Sequence, residues 1–250
     1  MSGHSHWARI KRKKGVTDAR RGRLWSKLAR NVIMAARSGG GDPRENLSLR
    51  YAIDKAKAAN MPKDTIENAV KKGAGGGEGT NYETVYYEGY GANGVAILVE
   101  ALTDNRNRTS PEVKKIFERN GGNMGAAGCV QWMFASKGQI TVSVSAVDED
   151  KIAEIALEAG ADDYTQSDDV WEISCDPTAF EPLRQALTDA GVEAQSAELA
   201  MVPANTVTVD AQAGQKIIKL IDALEEQDDV QNVYSNFDIP DDVMASLESE

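Results

Sequence analysis

Apolar residues in the first eighty positions recur with the period of a helix. Leu24 and Leu28 are four residues apart in a segment that polar residues open and three glycines close. Thr17 or Asp18 is expected to cap this first helix, and Asp42, which precedes a proline, is expected to cap the second. The pattern predicts three helices with short connections, over residues 18–38, 44–60 and 62–72.

The period changes after the linker GAGGGEG at 73–79, whose composition is that of a flexible connection. Alternating apolar residues predict strands at 85–89, 95–102 and 129–134. Thr109 and Glu112 form a capping-box pattern, which predicts that a helix starts there and ends near Gly121. The later segments 207–209, 214–226 and 230–234 predict a strand, a helix and a strand.

Residues 138–203 contain the elements of a complete small domain. The predicted strands cover 139–144, 163–166, 169–175 and 192–201, and the predicted helices cover 148–159 and 177–190. The resulting order, βαββαβ, is typical of the ferredoxin-like fold.

The whole chain is therefore predicted to be α+β, with a three-helix domain followed by two ferredoxin-like α+β domains. The last segments are too few to form a domain alone, but they complete the strands and helix of residues 80–135. We expect a helical domain at 1–79, a split domain made of 80–135 plus 205–250, and a domain inserted into it at 136–204.

Charge divides the chain into a basic part and an acidic part. Residues 1–80 hold 18 Lys/Arg and 7 Asp/Glu, whereas residues 136–250 hold 5 Lys/Arg and 26 Asp/Glu, although the chain as a whole has a net charge of −11. Such asymmetry indicates that the first part binds a polyanion, while the acidic part avoids it or meets a protein partner.

Cations of the first helix lie together on the helical wheel. At about 100° per residue, five of them share a wedge of about 100°, and the apolar residues lie on another side. Basic residues also precede the helix. The candidate nucleic-acid contacts are Lys11, Arg12, Lys13, Lys14, Arg20, Arg21, Arg23, Lys27, Arg30 and Arg37. They suit the phosphates of a nucleic acid, and the alternative is a solvated helix face with a basic tail.

Arg106 and Arg108 form a second candidate anion site. They lie where a predicted strand leads into a helix start, in a segment that is otherwise mildly acidic. A helix amino terminus beside two arginines favours a phosphate. The alternative is that they form salt bridges with Asp104 or a neighbouring carboxylate.

Candidate catalytic and metal-binding residues are few. His4 and His6 lie in the N-terminal segment without further ligands nearby, and Cys129 lies in an apolar pattern that favours a buried thiol. Acidic pairs such as Asp228-Asp229 are expected to be solvated turns. We expect no catalytic residue, no metal and no cofactor. No apolar stretch is long enough for a membrane span and none follows Met1, so we expect a cytoplasmic protein.

Several strings of the sequence resemble the YebC family. They are SGHSHW at 2–7, the basic run to Lys14, DARRG at 18–22, AARSGGGDP at 35–43, AKAANMPK at 56–63, EGYG at 88–91, TDNRNRT at 103–109, GGNMG at 121–125 and VQW at 130–132. The resemblance is dense over residues 2–135 and looser in the acidic remainder.

The resemblance implies a three-domain cytosolic protein whose basic helical domain contacts nucleic acid. Bacterial members of the family are described as probable DNA-binding transcriptional regulators, and other members, including mitochondrial ones, resemble translation factors that relieve ribosome stalling. We therefore expect a non-enzymatic regulator that binds DNA. The alternative is a ribosome-associated factor that binds ribosomal or transfer RNA, because Arg and Lys with few Asn or Gln contact backbone better than bases.

Overall fold

The computed structural model describes residues 18–75, 82–167 and 169–240, with side chains from Arg21 onward. The described parts form two compact units. One contains the helical segment together with residues 82–130 and 210–235, and the other contains 131–209 together with 236–240. The predicted α+β class is confirmed. The predicted division into three domains, with its boundaries, stays a prediction.

Three helices form the first part of the first unit, as the sequence predicts. They are α1 (Asp18–Gly39), α2 (Leu47–Ala58) and α3 (Lys63–Ala74). Their core contains Leu28 and Val32 of α1, and Trp25 packs against it while its indole N–H donates to the carbonyl of Ala59 at 3.0 Å. At Gly73 a β-carbon would collide with the Ile33 carbonyl oxygen, so α3 crosses α1 too closely for any side chain there.

The cap of α2 differs from the predicted one. Asn46, and not Asp42, caps the helix through its side-chain oxygen, which accepts from the Leu49 N–H at 3.0 Å. The amide of Asn46 also donates to the carbonyls of Ala35 and Gly40 at the end of α1. Asp42 instead accepts from Arg44 within the preceding turn. Asn46 is favoured because it satisfies the ends of two helices at once.

The rest of the first unit is a four-stranded antiparallel sheet with two helices. The strands lie in the order β3-β1-β2-β9, and β2 is buried along almost its whole length. The elements are β1 (Glu83–Tyr90), β2 (Ala96–Thr103), α4 (Arg106–Arg119), β3 (Asn123–Met124), α7 (Ala211–Glu225) and β9 (Val230–Ser235).

Two predictions for residues 105–134 are wrong. The helix after β2 starts three residues before the predicted capping box, because Asn105 caps it and Thr109 lies inside its first turns. The predicted strand at 129–134 is replaced by a 3₁₀ turn at Gln131–Met133. The carboxyl group of Glu88 accepts the N–H groups of Gly128 and Val130, so a side chain and not a neighbouring strand satisfies this backbone.

The second unit has the predicted ferredoxin-like order. Its strands form an antiparallel sheet in the order β5-β6-β4-β7, and the chain runs βαββαβ. The elements are β4 (Phe134–Ser143), α5 (Glu149–Glu158), β5 (Ala161–Ser167), β6 (Val170–Cys175), α6 (Phe180–Asp189) and β7 (Ala194–Pro203). A short parallel pair, β8 (Val207–Thr208) and β10 (Phe237–Asp238), completes the unit.

Candidate nucleic-acid interface

The predicted cations of the N-terminal segment lie outside the described residues. This applies to Lys11–Lys14, and the side chain of Arg20 is not described either. Arg21 and Arg23 are exposed at the start of α1, and Arg37 is half-buried in its last turn. Whether any of these residues binds nucleic acid stays a prediction.

Three cations of α1 contact one short segment of the same unit. We call residues 225–229 the acidic turn; it joins α7 to β9 and consists of Glu225, Glu226, Gln227, Asp228 and Asp229. The ammonium group of Lys27 donates to the Glu225 carbonyl at 2.5 Å. The guanidinium group of Arg30 donates to the Asp228 carbonyl at 2.8 Å and to the Asp229 carboxylate at 3.2 Å. Arg23 lies 3.9 Å from the Glu226 carboxylate.

These contacts correct the prediction that the grouped cations of α1 form a stripe that faces solvent. Lys27 is only 9% exposed, and the side chain of Arg30 is 19% exposed. Leu24 belongs to the apolar side that the helical wheel predicts to pack, yet it is 38% exposed. The helical wheel grouped the cations correctly, but it contains no information about which distant segment covers them. The stripe is covered because the last carbonyls of α7 and the carboxylates beside them attract cations.

Arg106 and Arg108 both form ion pairs. Arg106 lies 2.7 Å from the carboxylate of Glu83 at the start of β1. Arg108 contacts Asp104 at 3.0 Å and Asp229 at 2.7 Å. The salt-bridge alternative therefore describes the geometry of this pair. Both arginines remain about half exposed, and an anion site at this pair stays a prediction.

Asp229 is the centre of the most connected polar cluster in this part of the molecule. It is 4% exposed, and its carboxylate accepts from Arg30, from Arg108 and, at 2.7 Å, from the hydroxyl of Thr109. The Thr103 hydroxyl lies 2.7 Å from that of Thr109. The cluster thus connects α1, the end of β2 and the start of α4 to the acidic turn.

The ionisation of Asp229 follows from these partners. Burial would raise the pKa of its carboxyl group, but hydrogen bonds from Arg108 and Thr109 and the charge of Arg108 outweigh burial, and the pKa lies below the ordinary value. The same contact raises the pKa of Arg108. Asp229 is therefore a buried carboxylate held by two arginines, and the expectation that Asp228-Asp229 is simply a solvated turn is wrong for Asp229.

A polar cleft of about 630 Å³ opens beside this cluster. It is lined by Arg23, Arg30, Tyr82, Asp104, Arg108, Glu112 and residues 226–229. Sequence reasoning missed the acidic turn and Thr109 as part of this region. No local signal identifies them, because the contacts join residues that are 120 to 199 positions apart.

Other cations of the helical domain are exposed. Among the side chains described from 21 to 75, the exposed ones are Arg21, Arg23, Arg44, Arg50, Lys55, Lys57, Lys63, Lys71 and Lys72. The exposed carboxylates of the same stretch are Glu45, Asp64 and Glu67. Several cations pair with acids, such as Lys57 with Asp54, yet the surface keeps an excess of positive charge.

Metal ligands and thiols are the remaining candidates for reactive groups. The described residues contain no group of three His, Cys, Asp or Glu side chains that could hold a metal ion. Burial, followed by the charge of Glu88, raises the pKa of the Cys129 thiol, and burial also raises the pKa of Cys175. Both shifts disfavour the reactive thiolate. Within the described ranges, no helix is both long and apolar enough to cross a membrane.

The fold and this charge pattern define an α+β protein that carries a cationic helical segment at one end. Comparison with known proteins gives the family. Residues 5–76 match the model of the TACO1/YebC protein N-terminal domain, and residues 82–237 match the model of the TACO1/YebC second and third domain. The chain belongs to the TACO1/YebC family.

Relatives of this chain cover its whole length. A probable transcriptional regulatory protein of Geobacter sulfurreducens is 53% identical over 247 residues, which are 99% of this chain and 100% of the relative. One of Halothermothrix orenii, with the same description, is 51% identical over 253 residues and 100% of both chains. The crystal structure of a conserved hypothetical protein from Aquifex aeolicus matches with a TM-score of 0.85 and 48% identity, over 94% of this chain and 98% of that one.

Proposed function

We propose that this protein is a non-enzymatic regulatory factor that binds the sugar-phosphate backbone of a nucleic acid through its helical domain. The observation that carries the proposal is the excess of exposed cations on residues 21–75, next to the uninterrupted basic run Lys11–Lys14. Lys and Arg neutralise phosphates and release counterions, which supplies most of the affinity of such contacts.

Transcriptional regulation on DNA is the first candidate role. The relatives are named probable transcriptional regulatory proteins, which supports it. Translation on the ribosome is the second candidate. It is favoured by the Arg and Lys residues that dominate the exposed surface of the helical domain. Arg and Lys reach phosphates, whereas sequence-specific contacts with base edges need polar side chains placed in a groove. A factor that recognises backbone and shape suits structured RNA as well as DNA.

The test measures binding at a series of salt concentrations. Labelled duplex DNA and single-stranded RNA are titrated with the wild type and with a variant in which Lys11, Arg12, Lys13 and Lys14 are changed to Gln. Each lost contact should reduce the log–log salt slope by about 0.9 on duplex DNA and about 0.7 on a single strand. Four lost contacts should flatten the slope by about 3.6 units on duplex DNA and about 2.8 units on a single strand.

The matched control removes four exposed cations from the split domain, Lys114, Lys115, Lys216 and Lys219. An equal loss in the control would show that overall charge, and not the helical domain, drives binding. Sedimentation of a cell lysate on sucrose gradients at low and high salt then separates the two roles. Migration with ribosomal particles supports translation, and recovery of crosslinked DNA fragments away from them supports transcription.

A further inference from the structure

The acidic turn covers the face of α1 that is otherwise best suited to a nucleic acid. Arg23, Lys27 and Arg30 follow one another at helical spacing and all point at residues 225–229. The partners are two carboxylates and two backbone carbonyls, and a nucleic acid would offer phosphate oxygens to the same donors. The turn therefore presents this helix with the same kind of charge as a nucleic-acid backbone.

The contact between α1 and the acidic turn is polar throughout, and its edge at Arg23 is solvated, which makes that edge displaceable. The Arg23–Glu226 pair is 3.9 Å apart, with both side chains about half exposed. Pairs of this kind contribute little and weaken as salt rises. Lys27 and the carbonyl of Glu225 form the tightest contact, at the carboxyl end of α7, where the helix dipole attracts a cation. A nucleic acid brings several phosphates at once and can compete with this set.

We propose that the acidic turn is an internal competitor for nucleic acid, so that the protein has a closed form with the turn on α1 and an open form with phosphates on Arg23, Lys27 and Arg30. This inference rests on the proposed function. The measured dissociation constant then equals the intrinsic one divided by the fraction of open molecules. A substitution that weakens the contact between the acidic turn and α1 should therefore increase the affinity for nucleic acid, although it changes no cation.

Gln227→Ala is the sharpest perturbation because it changes no charge. The side-chain oxygen of Gln227 accepts the N–H groups of Asp229 at 2.7 Å and Val230 at 2.9 Å, and its amide donates to Glu112 at 2.9 Å. These bonds give the turn the shape in which the Asp228 carbonyl meets Arg30. The control is Gln185→Ala, which removes an exposed glutamine that bonds Asp189 on α6 in the second unit.

A second variant keeps the proposal testable if Gln227→Ala fails to fold. Glu226→Gln with Asp228→Asn removes two exposed charges from the turn. Its control is Glu158→Gln with Asp163→Asn, which removes two exposed charges from the second unit and matches the change in net charge. Affinity for a labelled single-stranded RNA and a duplex DNA is measured for all variants, together with Arg23→Gln/Lys27→Gln/Arg30→Gln, whose folding is checked first.

The expected result is that each turn variant binds about five-fold tighter than its control. Hydrogen exchange gives an independent readout in the wild type. The N–H groups of Glu226 and Gln227 bond to carbonyls in the last turn of α7, and that of Val230 bonds to the Gln227 carbonyl. Saturating nucleic acid should speed the exchange of these three N–H groups, whereas a ligand bound directly to this segment would slow it.

Three outcomes overturn the proposal and can be told apart. If the turn variants match their controls while the folded triple variant on α1 loses affinity, α1 binds nucleic acid but the turn does not compete. If the triple variant binds as tightly as the wild type, the face of α1 is not a nucleic-acid site at all. Slower exchange at the turn on binding also contradicts the proposal.

Discussion

Replacing Asp229 with Asn tests the buried polar cluster most directly. The substitution keeps the shape of the side chain and one carbonyl oxygen, and it removes the negative charge that Arg30 and Arg108 share. It also places an N–H donor opposite existing donors, either Arg30 at one oxygen position or Arg108 and Thr109 at the other. We expect the fold to survive and the first compact unit to become less stable.

The magnitude follows from the exposure of the partners. Removing one member of a fully buried ion pair costs about 3–5 kcal/mol, because an uncompensated charge stays buried. Here the Arg108 side chain is 46% exposed and that of Arg30 is 19% exposed, so both cations can recover some solvent. We therefore expect Asp229→Asn to lower the free energy of unfolding by about 2–3 kcal/mol, which is one or two charge-assisted hydrogen bonds.

Urea unfolding followed by circular dichroism measures this loss. The matched control is Asp228→Asn, one residue earlier, where the exposed side chain is changed and the carbonyl that binds Arg30 is kept. We expect the control to lose less than about 0.5 kcal/mol. Equal stability losses in the two variants would show that the Asp229 carboxylate is not the centre of the cluster.

The same carboxylate predicts a dependence of stability on pH. The pKa of Asp229 is lower in the folded protein than in the unfolded chain, so its stabilising contribution is complete above the unfolded value of about 3.9 and is lost as pH falls through the folded value. The difference in stability between wild type and Asp229→Asn should therefore shrink below about pH 4. A difference that grows towards acid pH would contradict this sign.

Three further predictions use substitutions elsewhere in the chain. Arg108→Ala should lower the free energy of urea unfolding by about 1–2 kcal/mol because it removes a partner from buried Asp229. Arg106→Ala should lower it by less than about 0.5 kcal/mol because its ion pair with Glu83 is exposed. Equal losses would contradict the role of Arg108 as a partner of Asp229. Gly73→Ala should lower the melting temperature because the new β-carbon meets the Ile33 carbonyl. Gly22→Ala, at an open position in α1, should raise the melting temperature because alanine favours the helix. A higher melting temperature for both variants would refute the close crossing of α1 and α3. Replacing residues 136–204 by a Gly/Ser linker should leave a remainder with folded circular dichroism, since an inserted domain leaves its host core intact, and an unfolded remainder would count against the insertion.

Much of the secondary structure could be predicted because the signals are local. The pattern predicts a helix over 148–159, and the structure has it at Glu149–Glu158 with Asp148 as its cap. This start is a local signal, since the capping side chain and the N–H that it accepts lie three residues apart. The βαββαβ order of the second unit followed from the order of its apolar runs, because each run must bury one face in the same core. The helical spacing of Leu28 is a local signal of the same kind, and Leu28 lies in the core of the three helices.

The start of α4 differs from the predicted one. The spacing of Thr109 and Glu112 predicts a helix start at Thr109, whereas the helix begins at Arg106. The structure places the cap at Asn105, whose side-chain oxygen accepts the Arg108 N–H at 3.2 Å, so Thr109 lies inside the helix and its own N–H bonds to the Asn105 carbonyl. The Thr109 hydroxyl instead donates to Asp229, which lies 120 positions away, so its role is set by tertiary packing and not by the local pattern.

The sequence by itself determined which residues carry charge and which face of a helix they share. Only the tertiary structure decided what meets that face. Arg30 and Asp229 are 199 positions apart, and nothing between them in the sequence signals that they touch. Helical periodicity is a property of neighbouring residues and repeats every few positions, so it groups Arg23, Lys27 and Arg30 reliably. The partner of a polar face is chosen by the global packing of the chain, which brings the end of one helix and its unpaired carbonyls against the cations of another.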